Sequence, residues 1–379
     1  MGSASSGRLE VLQALRAIAA ALVVLLHSFY TYAEKVSPVD PISGVGLHYD
    51  LAAFGVKLFF CISGFIIYKS TASLDPGWDS ASFFARRRLI RIVPLYWAVT
   101  LIYAAKLAMG GDSPTLMDVA RSLFFIPFAD ASGQIRPVLG AGWTLNFEML
   151  FYAVLCASLG LTQKWRFVVV GGAFAALLTA RLFDVAPQNY QPGDTAWGLM
   201  ADSVLLFFLA GMAVASLTQR DNAHGPSAPT FVVGILAMLG ILFGFAVPAA
   251  VFGLDAIGSP RSIGVTLLEV TVCFALVYVC VKPYVGSGFG AARVVRRSVV
   301  AAGDGSYSTY LIHGFVMGPA ARVIYELGLN VGPWVFAILM VLLCTVIGVL
   351  AYRFFECPMQ LRLNEVFGKH KQGESLRSC

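Results

Sequence analysis

Residues 11–32 read VLQALRAIAAALVVLLHSFYTY, an apolar run long enough to cross a bilayer as one helix. Within it Arg16 and His27 stand out as basic side chains in hydrocarbon. They are eleven residues apart, roughly 16 Å of helical rise and three turns plus about 20°, so both point to one side at different depths. Against lipid the arginine alone costs on the order of 3 kcal/mol, so the pair is expected to face protein or a water-filled cavity. The plainer alternative is an Arg16 that snorkels to one membrane face and a His27 hydrogen-bonded in the packing.

The rest of the chain agrees with a membrane solvent. Of 379 residues 58% are hydrophobic and 13% charged, and the mean hydropathy is +0.75; a soluble globular domain carries about 25% charged residues. The fold class is an all-α polytopic membrane protein, a single bundle of about ten transmembrane helices. Spans are expected near 11–32, 52–69, 92–109, 144–161, 165–181, 198–217, 230–252, 263–282, 306–326 and 334–355, with an amphipathic piece at 116–128 too short to cross. With the N-terminus taken as cytoplasmic, eighteen of the 27 lysines and arginines fall on the cytoplasmic side and five on the other, which puts both termini inside. Residues 1–10 read as a flexible N-terminus, 11–360 as the transmembrane domain and 361–379 as a cytoplasmic tail. The seven cysteines form no framework in outer loops, and no Cys/His cluster, Walker loop or dinucleotide fingerprint is present in the sequence. Neither a metal nor a nucleic acid is expected as a partner.

Three polar constellations interrupt the apolar background. In GWTLNFEMLFYAVL, Glu148 lies about four residues, roughly 6 Å, from the start of its helix, and His27 about five residues, roughly 8 Å, from the end of its own. The topology puts both at one outer level. A carboxylate there can fix the imidazole tautomer and stabilise the imidazolium of a general base, or simply sit on a helix N-terminus. Trp143, Asn146 and Tyr152 share the neighbourhood; Asn146 suits a hydroxylated substrate and the aromatics a sugar ring, with an interfacial anchor as the alternative for Trp143. In SFFARRRLIRIVPLYW, Arg88 and Arg91 are three apart and can form a fork for phosphates, with Arg293, Arg296 and Arg297 as a second basic turn. The positive-inside rule and anionic headgroups explain the same arginines without a ligand. In SYSTYLIHGF, Tyr307, Tyr310 and His313 lie at i, i+3 and i+6, either the wall of a tunnel towards His27 or ordinary packing.

These motifs, in this order, resemble the acyltransferase family 3 membrane proteins over essentially the whole chain. Arg16 and His27 match the family's first-span pattern, GVKLFFCISGF (Gly55 to Phe65) its second span, Arg88 and Arg91 its arginine-two-arginine motif, and SYSTYLIH its late span. GWTLNFEMLFY is similar to the branch that modifies bacterial exopolysaccharides. The resemblance implies a bacterial inner-membrane enzyme that takes an acyl group, usually acetyl, from cytoplasmic acyl-CoA. The acceptor it implies is a hydroxyl of a glycan or lipid-linked oligosaccharide at the outer side. On that basis His27 and Glu148 are the catalytic expectation. Arg16, Arg88, Arg91, Tyr307, Tyr310 and His313 are expected to bind acetyl-CoA, and Trp143, Asn146, Tyr152 and Lys57 the acceptor. Lys57 departs from the family pattern, where an apolar or acidic residue is common. Direct transfer and an acyl-histidine intermediate both remain open, as do acetyl and succinyl donors. The rival class is a secondary transporter or glycolipid flippase, disfavoured because the two halves show no internal repeat.

Overall fold

The computed structural model describes residues 2–37, 47–129, 136–183, 202–220, 260–281 and 293–367. These form α-helices joined by turns and loops, and no β-strand occurs among them. In chain order the helices are α1 (Gly2–Lys35), α2 (Leu47–Ser70), α3 (Trp78–Met109), α4 (Leu116–Leu123), α5 (Trp143–Ser158) and α6 (Gln163–Phe183). There follow α7 (Leu205–Arg220), α8 (Pro260–Val281), α9 (Arg293–Asp304), α10 (Ser306–Glu326) and α11 (Pro333–Ala351). A π-helical turn, Tyr352–Glu356, then leads into α12 (Cys357–Phe367).

Among the described residues, three helical stretches, Glu10–Lys35, Trp78–Met109 and Pro333–Phe367, are long and apolar enough to cross a membrane. Leu205–Thr218 and Thr266–Val281 are shorter apolar helices. The expected span at 230–252 lies outside the described residues. Along α11 the large apolar residues Trp334, Ile338, Leu342 and Val346 are exposed, a surface suited to lipid rather than water.

Two helices are longer than hydropathy suggests. α1 begins at Gly2 rather than at residue 11, and α3 at Trp78 rather than at 92. The charged run at 86–91 ends an apolar window but does not end a helix, because arginine is a good helix former. Ala81, Phe84, Ile92 and Leu95 keep one buried face through it. Pro94 lies inside α3 without ending the helix, although it offers no N–H to the ladder.

The chain forms two compact units. The first comprises Met1–Lys69 and Ala210–Tyr352. There α1 packs on α8, α9, α10 and α11, and the core gathers Val24, Tyr32, Met317, Phe336, Met340 and Cys344. Helices approach closely where a side chain is missing. A Cβ on Gly55 of α2 would meet the Ala19 carbonyl oxygen of α1 at 2.7 Å. One on Gly211 of α7 would collide with the Cys61 carbonyl of α2, and one on Gly348 of α11 with Thr309 of α10. The Tyr32 hydroxyl donates to the Val331 carbonyl at 2.9 Å and ties the end of α1 to the turn before α11.

The second unit comprises Ser70–Leu209 and Arg353–Cys379. Its centre is the antiparallel pair α3 and α5. From one end to the other, Gly77 N donates to Leu159 O, Cys156 Sγ lies 3.5 Å from Ala81 O, and Phe84 meets Tyr152 edge-on at 6.0 Å. At the far end Gly142 leaves room for the Tyr96 ring. The Tyr96 hydroxyl and Trp97 Nε1 donate to the carbonyls of Ser122 and Leu123, so the end of α4 lies against the middle of α3. The following turn carries Phe125 at φ 57°, its ring stacked on Tyr96. α5 therefore starts opposite Tyr96, thirteen residues or roughly 20 Å of rise short of Met109. Arg166, one of the charges counted for orientation, is buried and holds three carbonyls, Leu161 at 2.8 Å, Thr71 at 2.5 Å and Leu74 at 2.9 Å.

Gly211→Ala is expected to lower stability by about 1–3 kcal/mol, because the new methyl meets backbone that cannot rotate away. Gly171→Ala, with nothing within 4 Å of its new Cβ, should be neutral or gain up to about 1 kcal/mol of helix propensity. Thermal unfolding in detergent, followed by size-exclusion elution, measures both.

Candidate functional site

In the first unit, α1 presents His27 and Arg16 on one face, as helical spacing requires. His27 is an exposed residue, and its Nδ1 lies 2.8 Å from the Val23 carbonyl of its own helix. A carbonyl only accepts, so Nδ1 carries the proton and Nε2 carries the lone pair. The next residue, Ser28, is fully buried; its hydroxyl donates to the Val24 carbonyl at 2.7 Å and lies 3.3 Å from the Met317 sulfur of α10. Arg16 is half-buried and donates to Gln13 Oε1, while Gln13 Nε2 donates to Asp304 of α9 at 2.5 Å.

The tyrosine and histidine stripe of α10 belongs to the same unit. Tyr307 is half-buried, Tyr310 is buried against Phe59, and His313 is buried with Nδ1 held by the Tyr310 carbonyl at 2.6 Å. Sequence spacing set His313 on the way to His27; in the structure the two rings are neighbours, their centroids 4.9 Å apart.

Lys57 does not present a free ammonium to an acceptor. Its Nζ donates to both carboxylate oxygens of Glu269 on α8, at 2.7 and 2.6 Å, and Glu269 is buried. Sequence reading passed over Glu269, although an ionisable group within an apolar span was the signal that singled out Arg16 and His27. Of the second basic turn, Arg296 is committed: its guanidinium forks onto Glu10, which raises its pKa above the ordinary arginine value.

The second unit holds the other constellation. The Tyr152 hydroxyl donates to the Glu148 carboxylate. The Arg88 guanidinium stands 6.0 Å from the Tyr152 ring centre and 5.6 Å from that of Phe84. Glu148 was expected at the outer level of the membrane and Arg88 at the cytoplasmic edge. The antiparallel register of α3 on α5 puts them in one layer instead, because α5 begins opposite Tyr96 and not at the outer end of α3. Arg91 is half-buried one turn further along α3, and its carbonyl accepts from Gln360 of α12. Asn146 is buried near the start of α5, and Trp143 meets Phe147 edge-on at 5.9 Å.

Arg88 has one further property. Nη2 reaches Ser70 Oγ at 3.4 Å, but the buried Nε has no hydrogen-bond partner. A charged donor left open in a protein interior is what a ligand's acceptor oxygen would complete. The residues present thus fit an acyl donor that carries carbonyl and phosphate oxygens. No cluster able to hold a metal occurs among the described residues.

The model of the acyltransferase domain family matches residues 9–353. The chain is 35% identical over 324 residues to the exopolysaccharide production protein ExoZ of Rhizobium meliloti (strain 1021), covering 84% of this chain and 92% of that protein. It is 29% identical over 224 residues to nodulation protein 10 of Rhizobium leguminosarum bv. viciae, covering 51% and 58%. A 69-residue segment, 18% of the chain, is 38% identical to half of the fluoride-specific ion channel FluC 2 of Thermobifida fusca (strain YX). No solved structure matches.

Removing one partner of the Lys57–Glu269 pair leaves a buried charge uncompensated. Lys57→Met alone, which strands the buried Glu269 carboxylate, should cost about 3–5 kcal/mol, whereas Lys57→Met with Glu269→Leu should return much of it. A double-mutant cycle on thermal unfolding checks the coupling.

Proposed function

We propose that this chain, which belongs to the acyltransferase domain family, is an O-acyltransferase of the bacterial inner membrane. In this reading it moves an acyl group, acetyl in the first instance, from cytoplasmic acyl-CoA to a hydroxyl of an exopolysaccharide or its lipid-linked precursor at the outer side. About ten helices cross the membrane and both termini are cytoplasmic. The observation that carries the reading is His27, an exposed residue whose own helix holds Nδ1 and leaves Nε2 as the basic nitrogen, in a chain that aligns with nearly the whole length of an exopolysaccharide production protein.

The chemistry follows from that nitrogen. His27 Nε2 takes the proton of the acceptor hydroxyl as its oxygen attacks the thioester carbonyl carbon. The carbon–sulfur bond then breaks, and the imidazolium returns the proton to the departing thiolate. General-base help of this type is worth about 10²- to 10⁴-fold. Arg88 and Arg91 hold the donor. The Glu148 carboxylate, taken by Tyr152 in the layer of Arg88, offsets much of the guanidinium charge while leaving Nε free to donate. Such a group suits a neutral carbonyl oxygen of the acyl-CoA arm, and Arg91 a phosphate. Arg16, Tyr307 and Tyr310 line the donor's approach. Trp143 and Asn146 serve the acceptor sugar by stacking and hydrogen bonding.

Purified protein given radiolabelled acetyl-CoA and a lipid-linked oligosaccharide should label the oligosaccharide. His27→Ala should reduce labelling by about 10²-fold or more while CoA binding is retained. Labelling at the parent rate by a folded His27→Ala protein would overturn the base assignment. Arg88→Ala and Arg91→Ala should each weaken CoA binding by about 10- to 150-fold, the loss expected for one charge-assisted contact. Only the Arg91 variant should lose its discrimination between CoA and dephospho-CoA.

A further inference from the structure

Helix α9 is fastened to the start of α1 at two places, and the second of them reaches Arg16. At the first, the Arg296 guanidinium forks onto Glu10. At the second, Gly303 lies so close to α1 that a Cβ there would stand 2.2 Å from the Gln13 carbonyl oxygen. This close approach sets Asp304 beside the Gln13 side chain, whose Nε2 donates to Asp304 Oδ1 at 2.5 Å. The other end of the same amide, Oε1, accepts from Arg16 Nη1 at 3.2 Å, one turn along α1. The direction of this chain of bonds is fixed. A carboxylate only accepts and a guanidinium only donates, so the amide NH₂ must face Asp304 and the amide oxygen Arg16. Each bond has a charged group at one end, which makes it stronger than a bond between neutral groups.

Docking of α9 does not need that amide, since the Arg296–Glu10 fork and the close packing at Gly303 already hold the two helices together. What the amide adds is a fixed place for Arg16. A long arginine side chain must give up rotamer freedom before its planar fork can meet a ligand's oxygen, and holding Nη1 in advance removes part of that loss. We propose that Gln13 is a positioning residue of the donor site: anchored on Asp304, its amide aims the Arg16 guanidinium at the oxygens of the acyl-CoA arm. This deepens, and rests on, the reading of Arg16 as a donor contact. The amide is neutral, so it orients the guanidinium without adding a charge of its own. His27 lies eleven residues on along the same face of α1, so a donor arm held at Arg16 can run towards the base.

Gln13→Leu removes both hydrogen bonds at nearly constant side-chain size. Gln13→Glu combined with Asp304→Asn keeps both, because the introduced amide donates to the introduced carboxylate and that carboxylate accepts from Arg16; the net charge is unchanged. With acetyl-CoA as the probe, scintillation-proximity binding and steady-state assays should show Gln13→Leu raising Kd and KM by about 10-fold with kcat nearly unchanged. The exchanged pair should recover most of that loss. Arg16→Ala should weaken binding at least as much, and Gln13→Leu placed in that background should add almost nothing, because the two side chains act as a unit. Parent affinity in Gln13→Leu overturns the proposal, as does an exchanged pair no better than Gln13→Leu. A Gln13→Leu loss that multiplies in full on Arg16→Ala also overturns it, since that is what a merely structural role gives. Elution as a single species and an unshifted unfolding temperature report folding. If Gln13→Leu fails them, Asp304→Leu, which takes away the anchor alone, carries the same cycle. If instead Arg16→Ala binds as the parent does, the reading of Arg16 as a donor contact falls, and this proposal with it. A parent that binds no acetyl-CoA counts against acyl transfer itself and overturns both.

Discussion

A charge in hydrocarbon has no water to fall back on, so every ionised side chain inside this bundle must find its counterpart in protein. Lys57 finds Glu269, Arg166 finds three carbonyls, Arg16 joins Gln13 and through it Asp304, and Arg88 shares a layer with Tyr152 and Glu148. These contacts join segments far apart in the chain and fix the register in which its helices lie. Glycines then let the backbones close up: Gly55, Gly211 and Gly348 each stand where a methyl group would meet the next helix.

The polar groups divide into those that are satisfied and those that are open. Lys57 and Arg296 are engaged by carboxylates and behave as structural pairs. Arg88 keeps a buried Nε without a partner, and His27 keeps an exposed ring whose Nδ1 alone is engaged. Open donors and bases are costly to maintain in an apolar interior, and they are the groups an enzyme needs when substrate arrives. A purely structural account of the bundle explains the first class and leaves the second without a purpose.

The tautomer of a histidine is set by the hydrogen bond that one of its ring nitrogens makes. Here the i−4 carbonyl accepts that bond, because a helical residue near the exposed edge of a turn can reach back to the oxygen below it. The arrangement is local to α1. His313 uses its i−3 carbonyl to the same effect. The two rings thus arrive at their contact already oriented, each with the same nitrogen free.

Composition and hydropathy by themselves determined an all-helical chain for a membrane, and motif order determined the family, since both rest on residue type and on spacing within single helices. The shared face of Arg16 and His27 was legible for the same reason: eleven residues fix an angle on any α-helix. Depth was not. Counting residues from the ends of apolar runs put Glu148 and Arg88 at different levels, because it took each run to begin at the membrane surface. Only the tertiary structure revealed that the end of α4 lies against the middle of α3, so that α5 starts opposite Tyr96 and its carboxylate comes level with Arg88. The Lys57–Glu269 pair and the contact of His27 with His313 were decided in the same way. Hydropathy records how readily a segment leaves water; the register between two helices depends on which small residues, carbonyls and charges meet across them, and that is a property of the fold.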